Sequence, residues 1–163
     1  ALGFGMSVIA YDPWADSVSA AELGVQLGEF DETLARSDII SLHCALTTDN
    51  EKLLNRAAFH QMRNKPILIN TARGGLIDEA ALVDALDTGQ IAAAGLDVLT
   101  EESPDLEGSS LIGRPNVILT PHAAFYSDRS ILENRRLSAK NIRYFLDGAH
   151  DQVRKYVHRA GSE

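Results

Sequence analysis

Residues 66–79 read PILINTARGGLIDE. Pro66 to Asn70 is the most apolar of the short runs in the chain, and its length suits a buried strand better than a helix. Gly74 and Gly75 interrupt it, and Asp78 and Glu79 then open a helical stretch, their carboxylates set at the positive end of the helix dipole. A buried strand, a glycine turn and a helix in that order form half of a strand–helix–strand unit, whose two strands run parallel.

The same alternation continues on either side of this stretch. Candidate strands lie at 7–11 (SVIAY), 25–28 (VQLG), 38–43 (DIISLH), 66–70 (PILIN), 92–98 (AAAGLDV) and 116–120 (NVILT). Candidate helices lie at 16–23, 31–36, 55–62, 78–87 and 127–146, the first and last with Gly24 and Gly148 placed to close them. Ile131, Leu132, Leu137, Ile142 and Phe145 recur at roughly helical spacing along the last one. Short runs rich in Val and Ile separated by helices predict an α/β fold, a doubly wound parallel sheet covered on both faces. Residues 100–115, TEESPDLEGSSLIGRP, gather acids, serines, glycines and prolines, and predict a surface loop of the kind that often holds working residues.

Bulk properties narrow the function. The 163 residues are 45% apolar and 23% charged, an ordinary globular composition. A net charge of -8 and a pI near 5.0 repel a phosphate polyanion, so direct nucleic-acid binding is not expected. Cys44 is the single cysteine, which leaves no internal disulfide and no multi-cysteine zinc site and fits a reducing compartment; the cytoplasm is the expected location, and no metal is expected. No stretch approaches the roughly 20 apolar residues of a membrane span, and no basic region precedes the first apolar run, so neither membrane insertion nor export is expected.

In an open parallel sheet, ligands bind beyond the carboxyl ends of the strands. The residues at those ends are Tyr11-Asp12-Pro13, Leu42-His43-Cys44-Ala45-Leu46-Thr47, Asn70-Thr71-Ala72-Arg73-Gly74-Gly75, Gly95-Leu96-Asp97-Val98 and Thr120-Pro121-His122-Ala123-Ala124. Taken in order, they resemble the D-isomer-specific 2-hydroxyacid dehydrogenases, and the resemblance runs from residue 1 to about residue 148. The segment HAAFYS (122–127) is most similar to the C-terminal-binding-protein branch, whose animal members act as NAD(H)-dependent transcriptional corepressors.

The resemblance implies a Rossmann-type sheet, with 1–124 a partial NAD-binding domain and 125–163 a C-terminal helix and tail returning toward a substrate domain. The glycine-rich G-x-G-x-x-G turn that opens such a fold, and the central strand before it, have no counterpart in the sequence, and Ala1 to Met6 resemble the end of the helix that follows that turn. Two halves of the sheet flanking a gap, and membership of a longer polypeptide, are the expectations that follow.

The same likeness assigns roles. Arg73, Glu102 and His122 form the implied catalytic set: Arg73 clamps the substrate carboxylate and carbonyl, His122 exchanges the proton, and Glu102 supports the imidazole. A planar guanidinium suits paired hydrogen bonds to a carboxylate, and an Arg just ahead of a helix N-terminus is otherwise electrostatically poor. An imidazole titrates near working pH, and a carboxylate partner fixes its tautomer. Glu102 departs from the family pattern, because Ser103 intervenes before Pro104; counting back from the proline gives Ser103, and Glu101 is a neighbouring competitor. Asp12 is implied to bind the adenine ribose and so to favour NAD over NADP, although an Asp before Pro13 is also an ordinary turn former. Cys44, Ala45, Leu46, Asn50, Thr71, Ala72, Arg73, Asp97 and His122 complete the implied NAD contacts. Cys44 has no base beside it that would make it a nucleophile. His60, His150 and His158, and the basic residues Arg129, Arg135, Arg136, Lys140 and Arg143, read as solvated surface. The implied activity is an NAD-dependent transfer of hydride between nicotinamide and C2 of a small D-2-hydroxy or 2-oxo acid, in a homodimer. The alternative is an NAD(H)-sensing dimeric interaction protein with little turnover.

Overall fold

The computed structural model describes residues 1–101, 105 and 108–153. Among these, strands and helices alternate as β1 (Val8–Ala10), α1 (Ser17–Glu22), β2 (Val25–Leu27), α2 (Phe30–Arg36), β3 (Ile39–Leu42), α3 (Arg56–Gln61), β4 (Ile67–Asn70), α4 (Glu79–Asp87), β5 (Ala93–Leu96), β6 (Val117–Leu119) and α5 (Asp128–Leu146). Each element falls inside, or within one residue of, the stretch read from the sequence. The local chemistry explains the starts: Asp16, Asn55, Asp78 and Ser127 each accept hydrogen bonds from first-turn N–H groups of the helix that follows. At the end of α5, Gly148 takes a left-handed φ of 73°, and the N–H groups of Gly148 and Ala149 bond back to Phe145 and Tyr144, satisfying two terminal carbonyls. Ala1 to Met6, read as a helix end, forms a single 3-10 turn at Leu2–Phe4.

All strand pairs are parallel, and they form two sheets, β1-β2 and β3-β4-β5-β6. Two separate sheets agree with the two halves expected from the sequence. In the larger sheet burial alternates along each strand: Ile40, Leu42, Leu68, Ala94 and Leu96 join Phe59 of α3, and Leu82 and Leu86 of α4, in one core. The opposite face differs from expectation. Ile39, Ile67 and Ile118 stay 48%, 40% and 71% exposed, so the second covering layer is not completed among the described residues.

The chain divides into two compact units, one spanning Ala1–His122 and a second beginning at Ala123. In the second, α5 is amphipathic and none of its residues is fully buried; Arg129, Arg135, Arg136, Lys140 and Arg143 are exposed, with short ion pairs Arg136–Glu133 and Arg143–Asp147. No helix of the described residues is long and apolar enough to cross a membrane.

Candidate active site

The register of the larger sheet sets the geometry. Leu42 pairs with Asn70, Asn70 with Leu96, and Leu96 with Leu119, so four strands end on one rung. Parallel strands lie about 4.8 Å apart, which puts the ends of β4 and β6 roughly 10 Å from each other. Arg73 leaves the rung three residues after Asn70, Asp97 one residue after Leu96, and His122 three residues after Leu119. Arg73, Asp97 and His122 accordingly line one cavity of about 660 Å³, walled by Leu46, Val98, Leu99, Leu111 and Leu119 and bordered by Glu101.

The backbone that carries each of these residues is fixed by hydrogen bonds. Asn70 is fully buried; its amide Oδ1 accepts the Ala72 N–H at 3.0 Å and its Nδ2 donates to the Arg73 carbonyl at 2.9 Å, which folds residues 70–73 into a tight turn. Arg73 itself is exposed and extended, and its Nη1 donates to the Ala72 carbonyl. Gly74 is buried against the backbone of residues 99–100: a Cβ there would lie 2.0 Å from the Leu99 carbonyl. Gly74 thus lets the neighbouring loop approach its backbone closely. Glu79, at the head of α4, secures the same loop by accepting the Thr100 N–H at 2.6 Å. The segment after β3 is tied in by backbone bonds from Lys52 to Gly75, Leu54 to Leu76 and Asp78 to Leu54.

Asp97 is 4% exposed and its carboxylate accepts the Thr120 hydroxyl. Its carbonyl accepts the His122 N–H at 2.9 Å. His122 adopts φ 52°, in the left-handed region that costs an ordinary L residue about 1 kcal/mol but is visited more readily by His. The imidazole is exposed at the cavity rim. Beyond β5, the surface loop is pinned back by Leu111, which is 2% exposed, and by Arg114, whose two terminal nitrogens hold both Asp87 carboxylate oxygens at 2.6 and 3.2 Å. These hydrogen bonds lower the Asp87 pKa from its ordinary value and raise that of Arg114.

Asp12 stands beyond β1 and accepts the Trp14 N–H at 2.9 Å, the turn-forming behaviour weighed against its ribose role. One such bond leaves most of a carboxylate's lone-pair sites for ribose hydroxyls. Cys44 is exposed, and Asn50 shapes its loop by accepting the Thr47 N–H and donating to the Ala45 carbonyl. Thr71 is exposed and Ala72 half-buried beside Arg73. Glu102 lies outside the described residues, as does His158; His60 and His150 are exposed. Among the described residues, no cluster of His, Cys, Asp or Glu is arranged to hold a metal. The hydrogen bonds that Asn70 makes to the turn and that Glu79 makes to Thr100 were not read from the sequence. Asn70 did carry a signal, an amide on the buried phase of an otherwise apolar strand.

Comparison with known proteins agrees with this geometry. Residues 1–124 match the family model described as "D-isomer specific 2-hydroxyacid dehydrogenase, NAD binding domain". The chain is 48% identical over 122 residues to the chloroplastic D-3-phosphoglycerate dehydrogenase 2 of Arabidopsis thaliana, covering 75% of this chain and 19% of that protein. It is similar to D-lactate dehydrogenase with NAD+ from Lactobacillus jensenii (TM-score 0.86, 34% identity, 97% of this chain and 50% of that one). It also resembles D-lactate dehydrogenase from Aquifex aeolicus complexed with NAD and lactic acid (TM-score 0.84, 34% identity, 93% and 50%). The chain therefore spans about half the length of these solved relatives. With a Rossmann-type parallel sheet, strand ends converging on one cavity and a family match over residues 1–124, the chain belongs to the D-isomer specific 2-hydroxyacid dehydrogenase family, as its NAD binding domain.

Proposed function

We propose that this chain serves an NAD-dependent dehydrogenase that interconverts a small D-2-hydroxy acid and the corresponding 2-oxo acid. The observation that carries the reading is the shared cavity of Arg73, Asp97 and His122 beyond the carboxyl ends of β4, β5 and β6. Its chemistry fits the nicotinamide end of NAD and a small acid: apolar side chains form most of the named wall, a guanidinium stands to one side and an imidazole to the other. NADH, held by the residues named below, would supply the hydride for C2. Arg73 pairs with the substrate carboxylate and polarises the carbonyl through its planar fork. His122 gives the proton to the carbonyl oxygen, or takes it from the hydroxyl in the reverse direction. Asp97 meets the nicotinamide side of the pocket, Asp12 the adenine ribose, and Cys44, Ala45, Leu46, Asn50, Thr71 and Ala72 flank the cofactor.

Glu102 retains the role of carboxylate partner to His122, and Glu101, which borders the cavity, is its competitor. The proposed organisation keeps 1–124 as the cofactor domain and 125–163 as the segment that returns to a substrate domain. A homodimer in the cytoplasm completes the reading, the latter supported by the single cysteine. The enzymatic reading ranks ahead of the corepressor-like one because the relatives described above carry dehydrogenase names.

Mixing the complete protein, substrate domain included, with NADH and a panel of 2-oxo acids should deplete the near-ultraviolet absorbance of NADH with at least one of them. NADH binding without any turnover would refute the enzymatic reading, and cofactor-dependent dimerisation in its place would favour the interaction protein.

A further inference from the structure

The geometry points to Asn70 as a positioning residue: its buried amide fixes the direction of Arg73, and its backbone ties that turn to Asp97. This rests on the dehydrogenase reading above.

Three bonds converge on this residue. The side-chain oxygen holds the Ala72 N–H and the side-chain nitrogen holds the Arg73 carbonyl, so both ends of the Ala72–Arg73 dipeptide are clamped. The backbone carbonyl accepts the Asp97 N–H at 2.9 Å, and the Asp97 carbonyl in turn accepts the His122 N–H. Asn70 is wholly buried on the core side of β4, with Leu42 and Leu96 as its register partners. A buried primary amide needs partners inside the protein, and the turn at 72–73 supplies one for its oxygen and one for its nitrogen. An apolar residue would fill the strand equally well but leave the Ala72 N–H and Arg73 carbonyl without these partners. The guanidinium sits at the end of a long side chain, so a small rotation of the turn is magnified at its tip.

The test compares Asn70→Ser, Arg73→Ala and the double variant, measuring kcat/KM for the preferred 2-oxo acid, the NADH dissociation constant and Tm. Asn70→Ser should lose about tenfold to a hundredfold in kcat/KM, chiefly through KM for the oxo acid. NADH affinity should stay within about twofold, and the double variant should be no slower than Arg73→Ala alone. A full repeat of the loss in the Arg73→Ala background, or an unchanged kcat/KM in Asn70→Ser, overturns the inference. Asn70→Asp covers the case in which the serine variant does not fold: it is isosteric and, when ionised, sets a charged acceptor in place of the N–H that faces the Arg73 carbonyl, so wild-type kcat/KM in its ionised form likewise overturns the inference. Should the wild type reduce no 2-oxo acid, the dehydrogenase reading fails, and amide exchange decides the geometry by itself. The Ala72 amide should then exchange about tenfold faster in Asn70→Ser while the Leu68 amide is unchanged; an unaltered Ala72 rate overturns it.

Discussion

Replacing Gly74 with Ala should be among the most damaging single-methyl additions in the chain. The added Cβ would sit 2.0 Å from both the carbon and the oxygen of the Leu99 carbonyl and 2.4 Å from the Thr100 nitrogen. Carbon contacts are comfortable at about 3.5–4.0 Å, so one backbone segment must retreat by roughly 1.5 Å. Neither can do so cheaply. Residues 73–77 are bonded to the segment after β3 through Lys52 and Leu54, and Thr100 is held by Glu79. Overpacking against side chains costs about 1–3 kcal/mol, and a clash with fixed backbone belongs at or above the top of that range. At about 3 kcal/mol, Tm should fall by roughly 6–12 °C for a chain of this size. Gly75→Ala is the control: its Cβ would meet Leu46 Cδ2 at 2.8 Å, the movable end of a side chain, and the strain should fall below about 1 kcal/mol once Leu46→Ala is added. Thermal melts and urea titrations of the four variants, with Leu46→Ala paired with each glycine change, test this directly. A Gly74→Ala protein within about 0.5 kcal/mol of wild type, or one rescued by Leu46→Ala, would refute the claim that backbone contact demands glycine there.

Phe59→Ala should cost about 3–5 kcal/mol in urea unfolding, because Phe59 is 1% exposed at the centre of the core. Asn55→Ala should cost about 1 kcal/mol, since its side chain caps both the Ala57 and Ala58 N–H groups; Asn55→Asp should recover most of it. Asp87→Asn should flatten the acid side of the stability curve. The Arg114 hydrogen bonds hold the folded Asp87 pKa below its ordinary 3.8, so the pair stabilises the fold above that value and the contribution is lost as pH falls through the lowered one. Unfolding of the two proteins across that acid window should therefore converge at the lowest pH and diverge toward neutrality by a small, salt-sensitive amount.

The elements were legible because their signals are local. The Val and Ile runs, the acidic start at Asp78 and Glu79, and the glycine closures at 24 and 148 are each read from a few neighbouring residues, and each marks a boundary found in the structure. The open sheet face was not legible in this way: apolar Ile39, Ile67 and Ile118 announce a need for cover without saying where the cover comes from. For the site, chemistry was readable and support was not. Arg73 and His122 stand out as a guanidinium and an imidazole beyond strand ends, whereas Glu79 looks like any acidic first-turn residue until the Thr100 N–H is found against it. Its role depends on a contact 21 residues away in sequence.

Register is the step that joins the two levels. Side chains alternate along a strand, so a slip of one residue between β4 and β5 would move Asn70 from the core to the open face and turn Leu68 outward with it. The hydrophobic cost of exposing Leu68, Leu42 or Leu96 therefore specifies where Asn70 points, although none of the three touches chemistry. Once Asn70 is held inside, its amide bonds to the turn that carries Arg73, and its carbonyl accepts the N–H of Asp97, whose own carbonyl accepts that of His122. The placement of the polar site beyond the sheet is in this sense a consequence of apolar packing within it. The most informative perturbation of the site would accordingly be one that leaves every polar residue in place and weakens the core beneath Asn70, such as Leu68→Ala, after which kcat/KM and stability should fall together.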